Sequence, residues 1–405
     1  MTAERATRPA IPRINRNHAY KDDHELVSAY AAIAPVARTA LGPYIAFRWR
    51  HAALLTNPET TRQLELETMA LQGVRDGPLF ELFANGMLFS NGEAHKRQRG
   101  PVVKTFAFKM MEAMRGEIAA FATDLVRERL GHGPCNFLTE VAGRIPAEII
   151  ARVLGVPARD VPQFTRWVYS GIRGLPMHDA AIRPEIERDL QALVDYVQAL
   201  LDDRRKSAQA DFLTQYVTAA DEAGAMSAEE IRAQIAGVIL AGADTTRIGI
   251  CSTLSQLLQH DEQWRAVCAD PDGLKKRAAD EGLRYDPVVG TIPRVALVDL
   301  DLDGYIVPAG SIIAISLLHA LRDPEVYARP DRFDIFRDDH TKWHLAFGAG
   351  AHRCLGEALA RAEIEETIAA IARLAPGTQL AGAPPKLSGQ HAVRMIDRME
   401  VAFVR

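Results

Sequence analysis

One cysteine stands in a glycine-containing segment whose residue types could carry chemistry. The segment reads FGAGAHRCLG from Phe347 to Gly356, with Cys354 near its end. Gly348 and Gly350 allow backbone conformations that are closed to other residues, and Gly356 leaves no side chain beside the sulfur. We expect a tight loop that delivers Cys354 to the start of a helix, where backbone N–H groups and the helix dipole favour a thiolate.

A thiolate held by such a loop suits either a single bond to a metal ion or attack as a nucleophile. A nucleophilic cysteine needs a histidine base and an orienting side chain, and His352, two residues away, is poorly placed for that geometry. A zinc site would need further cysteine or histidine ligands, and none stands at the right spacing. A buried structural cysteine in a turn is the remaining alternative.

An acid and an alcohol interrupt an apolar helical segment. Asp244 and Thr245 stand in the middle of IAGVILAGADTTRIGI. Burying these groups costs free energy unless they are paired, and a threonine can donate back to the carbonyl one turn earlier and bend the helix. Gly242 permits a groove or a close approach of the backbone. The segment therefore predicts either a helix kink or cap, or a site where an acid and an alcohol move protons.

A mainly helical framework is predicted to hold both segments. The chain has 405 residues, of which 48% are hydrophobic and 25% charged, as in ordinary globular proteins. Helix-forming residues dominate from about 60 to 285, with glycine and proline at the joints, and a helical pattern resumes over 351–375. Ser227 and Glu230 have the spacing of a capping box, which predicts the start of the helix that carries Asp244.

A small β region is predicted in the last third of the chain, over about 294–316. There Val298, Leu300 and Leu302 alternate with aspartates, which is the period of a half-buried strand. Short strands are also expected at Tyr44–Trp49 and Met399–Val404. No repeat or linker divides the chain. We predict a mainly α fold with a small β region, in a single domain over residues 1–405.

Charge and cysteine usage narrow the class of protein. The net charge of −4 argues against a nucleic-acid partner, since such proteins are more often strongly basic. Four scattered cysteines form no disulfide framework and favour a reducing cytoplasm. The first residues lack the apolar core of a signal peptide. The uncharged stretch Tyr305–Leu321 falls short of the ~20 residues of a membrane span, so no membrane partner is expected.

The string FGAGAHRCLG resembles the haem-binding loop of the cytochrome P-450 family of haem-thiolate monooxygenases. Further segments match in the family's order, so the resemblance covers about residues 25–405 and implies the cytochrome P-450 fold. It implies that Cys354 is the axial thiolate ligand of the iron of haem b, that Phe347 packs against the haem, and that Gly356 belongs to the same binding loop. Such a thiolate pushes electron density to the iron and favours O–O cleavage.

The resemblance also implies roles for polar residues elsewhere. Thr245 would hydrogen-bond to dioxygen at the haem, and Asp244 would relay protons to it. The haem propionates need cationic partners, and the matching residues are His95, Arg99, Arg294 and His352. Behind the haem loop, the matching structural triad is Glu281, Arg284 and Arg332.

Apolar residues at the positions that surround the substrate in the family predict a small, largely apolar organic substrate. They are Leu240, Ala241, Val289, Ile292 and Met395. The implied reaction activates dioxygen with two electrons and hydroxylates, or otherwise oxidises, that substrate. Since 405 residues leave no room for a flavin or iron–sulfur domain beside this fold, the electrons would come from NAD(P)H through a separate ferredoxin or flavodoxin with its reductase.

A basic face near the thiolate is the expected docking site for that acidic partner, unless these charges only solubilise the surface. Its residues are Lys96, Arg97, Lys104, Arg353 and Arg361. Three other functions stay open at this point. One is a peroxide-driven peroxygenase or a dehydratase, which would not need the relay of Asp244 and Thr245. The second is a non-catalytic haem sensor or carrier, and the third is a helical protein without haem.

Overall fold

The computed structural model describes residues 9–14, 20, 22–106, 113–389 and 393–405. Helices dominate this part of the chain. They are α1 (Asp23–Ile33), α2 (His51–Thr56), α3 (Glu67–Leu71), α4 (Gly77–Asn85), α5 (Gly92–Thr105), α6 (Arg115–Arg129), α7 (Arg144–Val153), α8 (Val161–Ile172), α9 (Arg183–Lys206), α10 (Phe212–Ala223), α11 (Ala228–Gln259), α12 (Asp261–Ala269), α13 (Pro271–Tyr285), α14 (Leu317–Ala320) and α15 (Glu357–Leu374).

The strands are short and form three small sheets. They are β1 (Val36–Arg38), β2 (Tyr44–Ala46), β3 (Thr61–Arg62), β4 (Cys135–Asn136), β5 (Thr291–Ala296), β6 (Leu300–Leu302), β7 (Tyr305–Val307), β8 (Ile312–Ser316), β9 (Gln379–Leu380) and β10 (Glu400–Ala402). One sheet has the order β1-β2-β8-β5-β3, the second β4-β10-β9, and the third is the β6-β7 hairpin. In the first sheet β5 and β8 are antiparallel, with Thr291 opposite Ser316.

The predicted fold class, mainly α with a small β region, is confirmed. Two strands fall inside the stretch that we expected to be helical, namely β3 and β4. Each has only two residues and pairs with a strand far along the chain, β5 and β10 respectively. No local alternation of apolar and polar residues can develop over two residues, so such strands leave no periodic signal in the sequence.

The long helix α11 runs through the core. Its capping box is formed as predicted, because Ser227 Oγ accepts from the Glu230 amide at 3.2 Å and Glu230 Oε2 accepts from the Ser227 amide at 3.0 Å. By length and composition alone α11 could cross a membrane, but 67% of its most apolar window is buried within the protein. It packs against α7, α8, α13 and α15, as the core helix of a globular protein does.

Candidate active site

The cysteine loop has the backbone that its glycines predict. Gly348 and Gly350 adopt positive φ angles of 74° and 69°. A Cβ atom at Gly350 would lie 2.6 Å from the carbonyl oxygen of Thr56, so a side chain cannot be placed there without moving the backbone. The amide of Cys354 donates to the carbonyl of Phe347 at 2.8 Å, which closes the loop immediately before α15 begins.

The Cys354 thiol is accessible to solvent, yet enough protein surrounds it that desolvation raises its pKa. The Gly356 amide and the guanidinium groups of Arg99 and Arg353 oppose this increase without cancelling it. The Gly356 amide thus favours the thiolate, as expected, but in the free thiol desolvation outweighs this effect. Bonding to a metal ion removes that proton outright.

Four residues able to carry positive charge lie beside the loop. The rings of His95 and His352 stand 4.0 Å apart between centroids. Burial, together with the neighbouring charges of His95, Arg294 and Arg99, lowers the pKa of His352 to about 3. Burial and Arg99 lower the pKa of His95 to about 4. The structure thus brings together all four residues that we expected to hold the propionates.

This cluster lacks anionic partners in the described part of the chain. Burial lowers the pKa of Arg294 to about 10, and its guanidinium bonds only to uncharged groups, the side chain of Gln63 and the carbonyl of Pro293. The buried Nε2 of His95 has no hydrogen-bond partner. Among the described residues no carboxylate pairs with His95, Arg99, Arg294 or His352. A group that brings its own carboxylates would satisfy these donors.

The polar pair of α11 is split between two surroundings. Ala241 and Gly242 are exposed although the helix around them is largely buried, and a Cβ at Gly242 would meet nothing within 4 Å. Thr245 Oγ1 donates to the carbonyl of Ala241 at 2.9 Å, the back-bond that the sequence predicts. Asp244 is buried instead and accepts from Arg247 Nε at 2.6 Å. Thus α11 presents an open groove beside Thr245 and a buried ion pair behind it.

Arg247, the ion-pair partner of Asp244, was not predicted from the sequence. Arg247 stands three residues after the acid, which is the spacing of an ion pair on one helix face. Its guanidinium also lies 4.5 Å from the centroid of the Tyr169 ring, and the Tyr169 hydroxyl donates to the carbonyl of Gly143 at 2.6 Å. The ion pair is therefore held against α8 and the start of α7.

The ion network behind the loop differs from the predicted triad in one member. Glu281 and Arg284 are fully buried and joined by two hydrogen bonds of 2.7 and 2.8 Å. The third cation is Arg337, whose Nε lies 2.9 Å from Glu281 and whose side chain is 5% exposed. Arg332 is not a member, because its side chain is 59% exposed. Only its backbone takes part, since its carbonyl accepts from Arg284 at 3.0 Å.

The segment 288–292 forms a side wall between α11 and the cysteine loop. A Cβ at Gly249 of α11 would lie 3.6 Å from Val288 Cγ2, and a Cβ at Gly348 would lie 3.9 Å from Ile292 Cδ1. Gly249 also faces α15, where Ile364 Cδ1 would be 3.1 Å from such a Cβ. Segment 288–292 therefore contacts both α11 and the cysteine loop. We use the name reaction cleft for the region between the exposed turn at Ala241 and Gly242, this segment and Cys354.

The residues predicted to line the substrate pocket do not all reach this cleft. Ala241 is exposed, Val289 and Ile292 are half-buried, and Met395 is 44% exposed. Leu240 does not reach it: its side chain is 1% exposed and points at Gly171 of α8, where a Cβ would lie 3.1 Å from it. Neighbouring residues of a helix point in different directions, so Leu240 faces α8 while Ala241 is exposed. The similarity of sequence segments does not reveal this difference.

The basic face near the cysteine is less basic than its sequence indicates. Four of its five cations have carboxylate partners: Lys96 pairs with Glu93, Arg97 with Glu230, Arg353 with Glu357, and Arg361 with both Asp280 and Glu357. Beside this face stands Trp343, 63% exposed, with the guanidinium of Arg353 at 5.0 Å and the ammonium of Lys342 at 5.9 Å from its ring. The sequence gives no periodic signal for this exposed aromatic residue.

These residues fit a haem. A single accessible thiol stands in a glycine-shaped loop, and two arginines and two histidines that pair with no carboxylate among the described residues stand beside it. No cluster of three or more histidine, cysteine, aspartate or glutamate residues able to hold a metal ion occurs in the described ranges. A single thiol in a loop suits one bond to the iron of a haem, whose porphyrin supplies the other ligands. The buried Glu281–Arg284 pair adjoins the loop, since His344, just before the loop, lies 3.0 Å from the carbonyl oxygen of Asp280.

Comparisons with known proteins identify the family of the chain. The family model described as Cytochrome P450 matches residues 175–270 and 274–373. The plant-inducible cytochrome P450-pinF1 of Rhizobium radiobacter is 39% identical over 381 residues, which are 94% of this chain and 90% of the relative. Cytochrome P450 monooxygenase PikC of Streptomyces venezuelae is 32% identical over 311 residues, 75% of this chain and 72% of the relative. The crystal structure of CalO2 matches with a TM-score of 0.83 and 30% identity, over 91% of this chain and 93% of that chain.

The chain therefore belongs to the cytochrome P450 family. It is a haem-thiolate monooxygenase, an oxidoreductase that uses haem iron and receives its electrons from a redox partner.

Proposed function

We propose that this monooxygenase hydroxylates, or otherwise oxidises, a small and largely apolar organic substrate in the reaction cleft. Three observations support the proposal: the open groove of α11, the contacts of segment 288–292 with both α11 and the cysteine loop, and the accessible thiol of Cys354. Apolar side chains orient such a substrate by excluding water, with few polar groups to fix its position. We further propose that the protein works in the cytoplasm.

In this proposal the chain holds the haem at both its metal and its carboxylates. Cys354 would bind the iron, Phe347 would pack against the haem, Gly356 would belong to the loop, and two arginines and two histidines would donate hydrogen bonds to the propionates. These four residues are His95, Arg99, Arg294 and His352. When bound, the haem supplies the activation of dioxygen.

Proton delivery is assigned to the polar pair of α11. The hydroxyl proton of Thr245 is engaged by the carbonyl of Ala241, which leaves the lone pairs of Oγ1 to accept a hydrogen bond from water in the groove. Both contacts of the Arg247 guanidinium are to Oδ1 of Asp244, so Oδ2 is the oxygen that has no contact with Arg247 and takes up or releases the proton. Thr245 is thus the receiving end of the relay and Asp244 its source.

The test is a ferrous–carbon monoxide difference spectrum of protein expressed with adequate haem supply. A strongly red-shifted Soret band supports thiolate ligation by Cys354, and candidate substrates are then screened by the spin-state shift that they cause. A Soret band typical of histidine ligation would contradict the assignment of Cys354. Protein with no haem band would overturn the proposed site.

Replacing Thr245 by alanine is expected to separate electron consumption from product formation. Without Oγ1 the groove loses its hydrogen-bonding oxygen, and product formation falls on the order of a hundredfold. NAD(P)H consumption continues, and hydrogen peroxide accumulates instead of product. Thr245→Ser keeps the hydroxyl and serves as the matched control, with coupling close to that of the natural protein. An unchanged ratio of product to NAD(P)H in Thr245→Ala would remove Thr245 from the relay.

Electrons are proposed to pass from NAD(P)H through a reductase to an acidic ferredoxin or flavodoxin that docks near Cys354. What supports this is the exposed Trp343 between two cations, since aromatic residues flanked by positive charge are common anchors of interfaces. Lys104 adds an exposed cation that pairs with no carboxylate among the described residues. The other four cations are paired with carboxylates, so the electrostatic attraction of this face for an acidic partner is modest.

Raising the ionic strength from about 0.05 to about 0.5 M is expected to slow reduction by a ferredoxin by roughly tenfold, because salt screens the charges that steer the two proteins together. Stopped-flow absorbance at the haem band measures the second-order rate constant. Reduction by dithionite, which needs no protein docking, is the control and should change little. A salt-independent rate with ferredoxin would mean that these cations only solubilise the surface.

A further inference from the structure

We propose that the amino-terminal helix α1 fixes the side wall of the reaction cleft through His24, and that this fixed wall is what allows the cleft to bind bulky ligands tightly. The inference goes beyond the proposed function by assigning a positioning residue outside the cleft, and it relies on that function only for the haem used in one of its readouts. His24 lies 262 residues from its partner Asp286 along the chain, so no local pattern reveals the contact.

A second segment near the carboxyl terminus, residues 393–395, pairs with the wall 288–292. Val289 and Val393 form an antiparallel bridge, and the Arg394 amide donates to the carbonyl of Val288 at 2.8 Å. Met395 follows directly and is bridged to Ser388 by two amide hydrogen bonds of 2.9 Å. The exposed side chain of Met395 therefore stands next to the wall, at a position that the backbone of Arg394 determines.

Arg394 anchors this second segment from its buried side. Its guanidinium donates to the carbonyls of Leu387, Pro287 and Gly389 at 2.8, 3.1 and 3.2 Å, and it is also bonded to the carboxylate of Asp286. Successive residues of an extended segment point to opposite sides. Burial of Arg394 and exposure of Met395 follow that rule, so holding the arginine holds the methionine.

Helix α1 contacts the segment anchored by Arg394 through Asp286. Although burial raises the pKa of its carboxyl, the hydrogen bond from His24 and the charge of Arg394 bring it down to about 2, so the group is ionised at neutral pH. His24 Nε2 lies 3.0 Å from Asp286 Oδ1. A buried carboxylate that loses one of its two side-chain partners has to find another or admit water, which loosens the groups attached to it.

A second contact from α1 reaches the same segment. Asp23, adjacent to His24, accepts from the amide of Gly389 at 2.9 Å. The first turn of α1 therefore holds both the carboxylate below Arg394 and the turn that precedes it. The rest of α1 packs on the first sheet, with Leu26 and Tyr30 in a cluster with Phe47. Helix α1 therefore connects the wall 288–292 to the first sheet.

The test compares two nitrogen ligands of different size on the haem-loaded protein. His24→Ala is expected to weaken binding of 4-phenylimidazole roughly tenfold, while the affinity for imidazole itself stays within about twofold. Spectral titration of the haem band gives both dissociation constants. His24→Gln, whose amide can donate in place of Nε2, should recover most of the loss.

Leu26→Ala is the matched control on the same helix. It removes apolar packing of α1 against the sheet without touching Asp286, so it should lower the melting temperature but leave the ratio of the two dissociation constants unchanged. An equal change in both constants for His24→Ala, no change in either, or the same ratio change in Leu26→Ala would each overturn the proposal.

Hydrogen exchange supplies a readout that needs no haem. In His24→Ala the amides of Ser388, Gly389 and Met395 are expected to exchange faster, with the amides of α11 unaffected. Unchanged exchange at these amides would overturn the role of His24 even in protein that binds no haem. Absence of the thiolate-type carbon monoxide spectrum, by contrast, would bear on the proposed function alone.

Discussion

Replacing Cys354 by alanine is expected to abolish monooxygenase turnover and the strongly red-shifted carbon monoxide band together. Cys354 is the accessible thiol of the loop, and the described part of the chain offers no cluster of side chains that could hold a metal ion instead. Without the thiolate the iron loses the ligand that favours O–O cleavage. The difference spectrum and the rate of product formation measure the two losses.

The matched control is Cys268→Ala. Cys268 is partly buried and far along the chain from the loop, and its thiol lies 3.9 Å from the carbonyl oxygen of Pro376. It should leave both the spectrum and the turnover unchanged. Retention of the red-shifted band in Cys354→Ala would show that another residue supplies the ligand. Its loss in Cys268→Ala would show that the effect is not specific to the loop.

Replacing Arg337 by alanine is expected to lower the free energy of unfolding by ~3–5 kcal/mol, the usual cost of removing one side of a buried ion pair. Arg337 lies 2.9 Å from Glu281, and its loss leaves Arg284 as the only arginine beside a fully buried carboxylate. Because this network lies behind the haem loop, we also expect little holoprotein from this variant. Urea unfolding followed by circular dichroism, with the ratio of haem to protein absorbance, measures both effects.

Arg332→Ala distinguishes the network seen in the structure from the one expected from sequence. The Arg332 side chain is 59% exposed and approaches only Asp334, at 3.9 Å, so its removal should change stability by no more than about 0.5 kcal/mol. Its carbonyl, which accepts from Arg284, is unaffected by the substitution. A destabilisation of Arg332→Ala equal to that of Arg337→Ala would restore the predicted triad.

The wrong prediction for Arg332 shows which contacts a sequence motif can predict and which it cannot. The spacing of Glu281 and Arg284 on one helix is local, and the structure has both bonds. The third cation belongs to an irregular stretch after α14, where the path of the chain decides which arginine turns inward. Carbonyls of that stretch, at Pro330 and Arg332, bind Arg284 and direct the Arg332 side chain outward. Such a path is set by tertiary packing and leaves no period in the sequence.

The cysteine loop is the opposite case. Gly348 and Gly350 adopt the positive φ angles that their identity predicts, since few other residues tolerate them. The charge state of the free Cys354 thiol could not be predicted in the same way, because it depends on how much protein surrounds the sulfur. Likewise the sequence shows that Asp244 stands in an apolar helix, but its bond to Arg247 depends on side-chain rotamers. The residue type thus predicts the backbone conformation of the loop, but it does not predict the net electrostatic field at a particular atom.

The burial of α11 has a consequence for how the chain is made. While it is being synthesised, α11 has the length and apolar composition of a segment that insertion machinery recognises. Two of the helices that cover it, α13 and α15, come after it in the chain, and α15 ends at Leu374. Until that residue leaves the ribosome, an apolar surface of α11 stays uncovered, and such surfaces are prone to aggregation. Yield in cells should therefore depend on the speed of translation over the stretch from Gln259 to Leu374 more than on the codons before it.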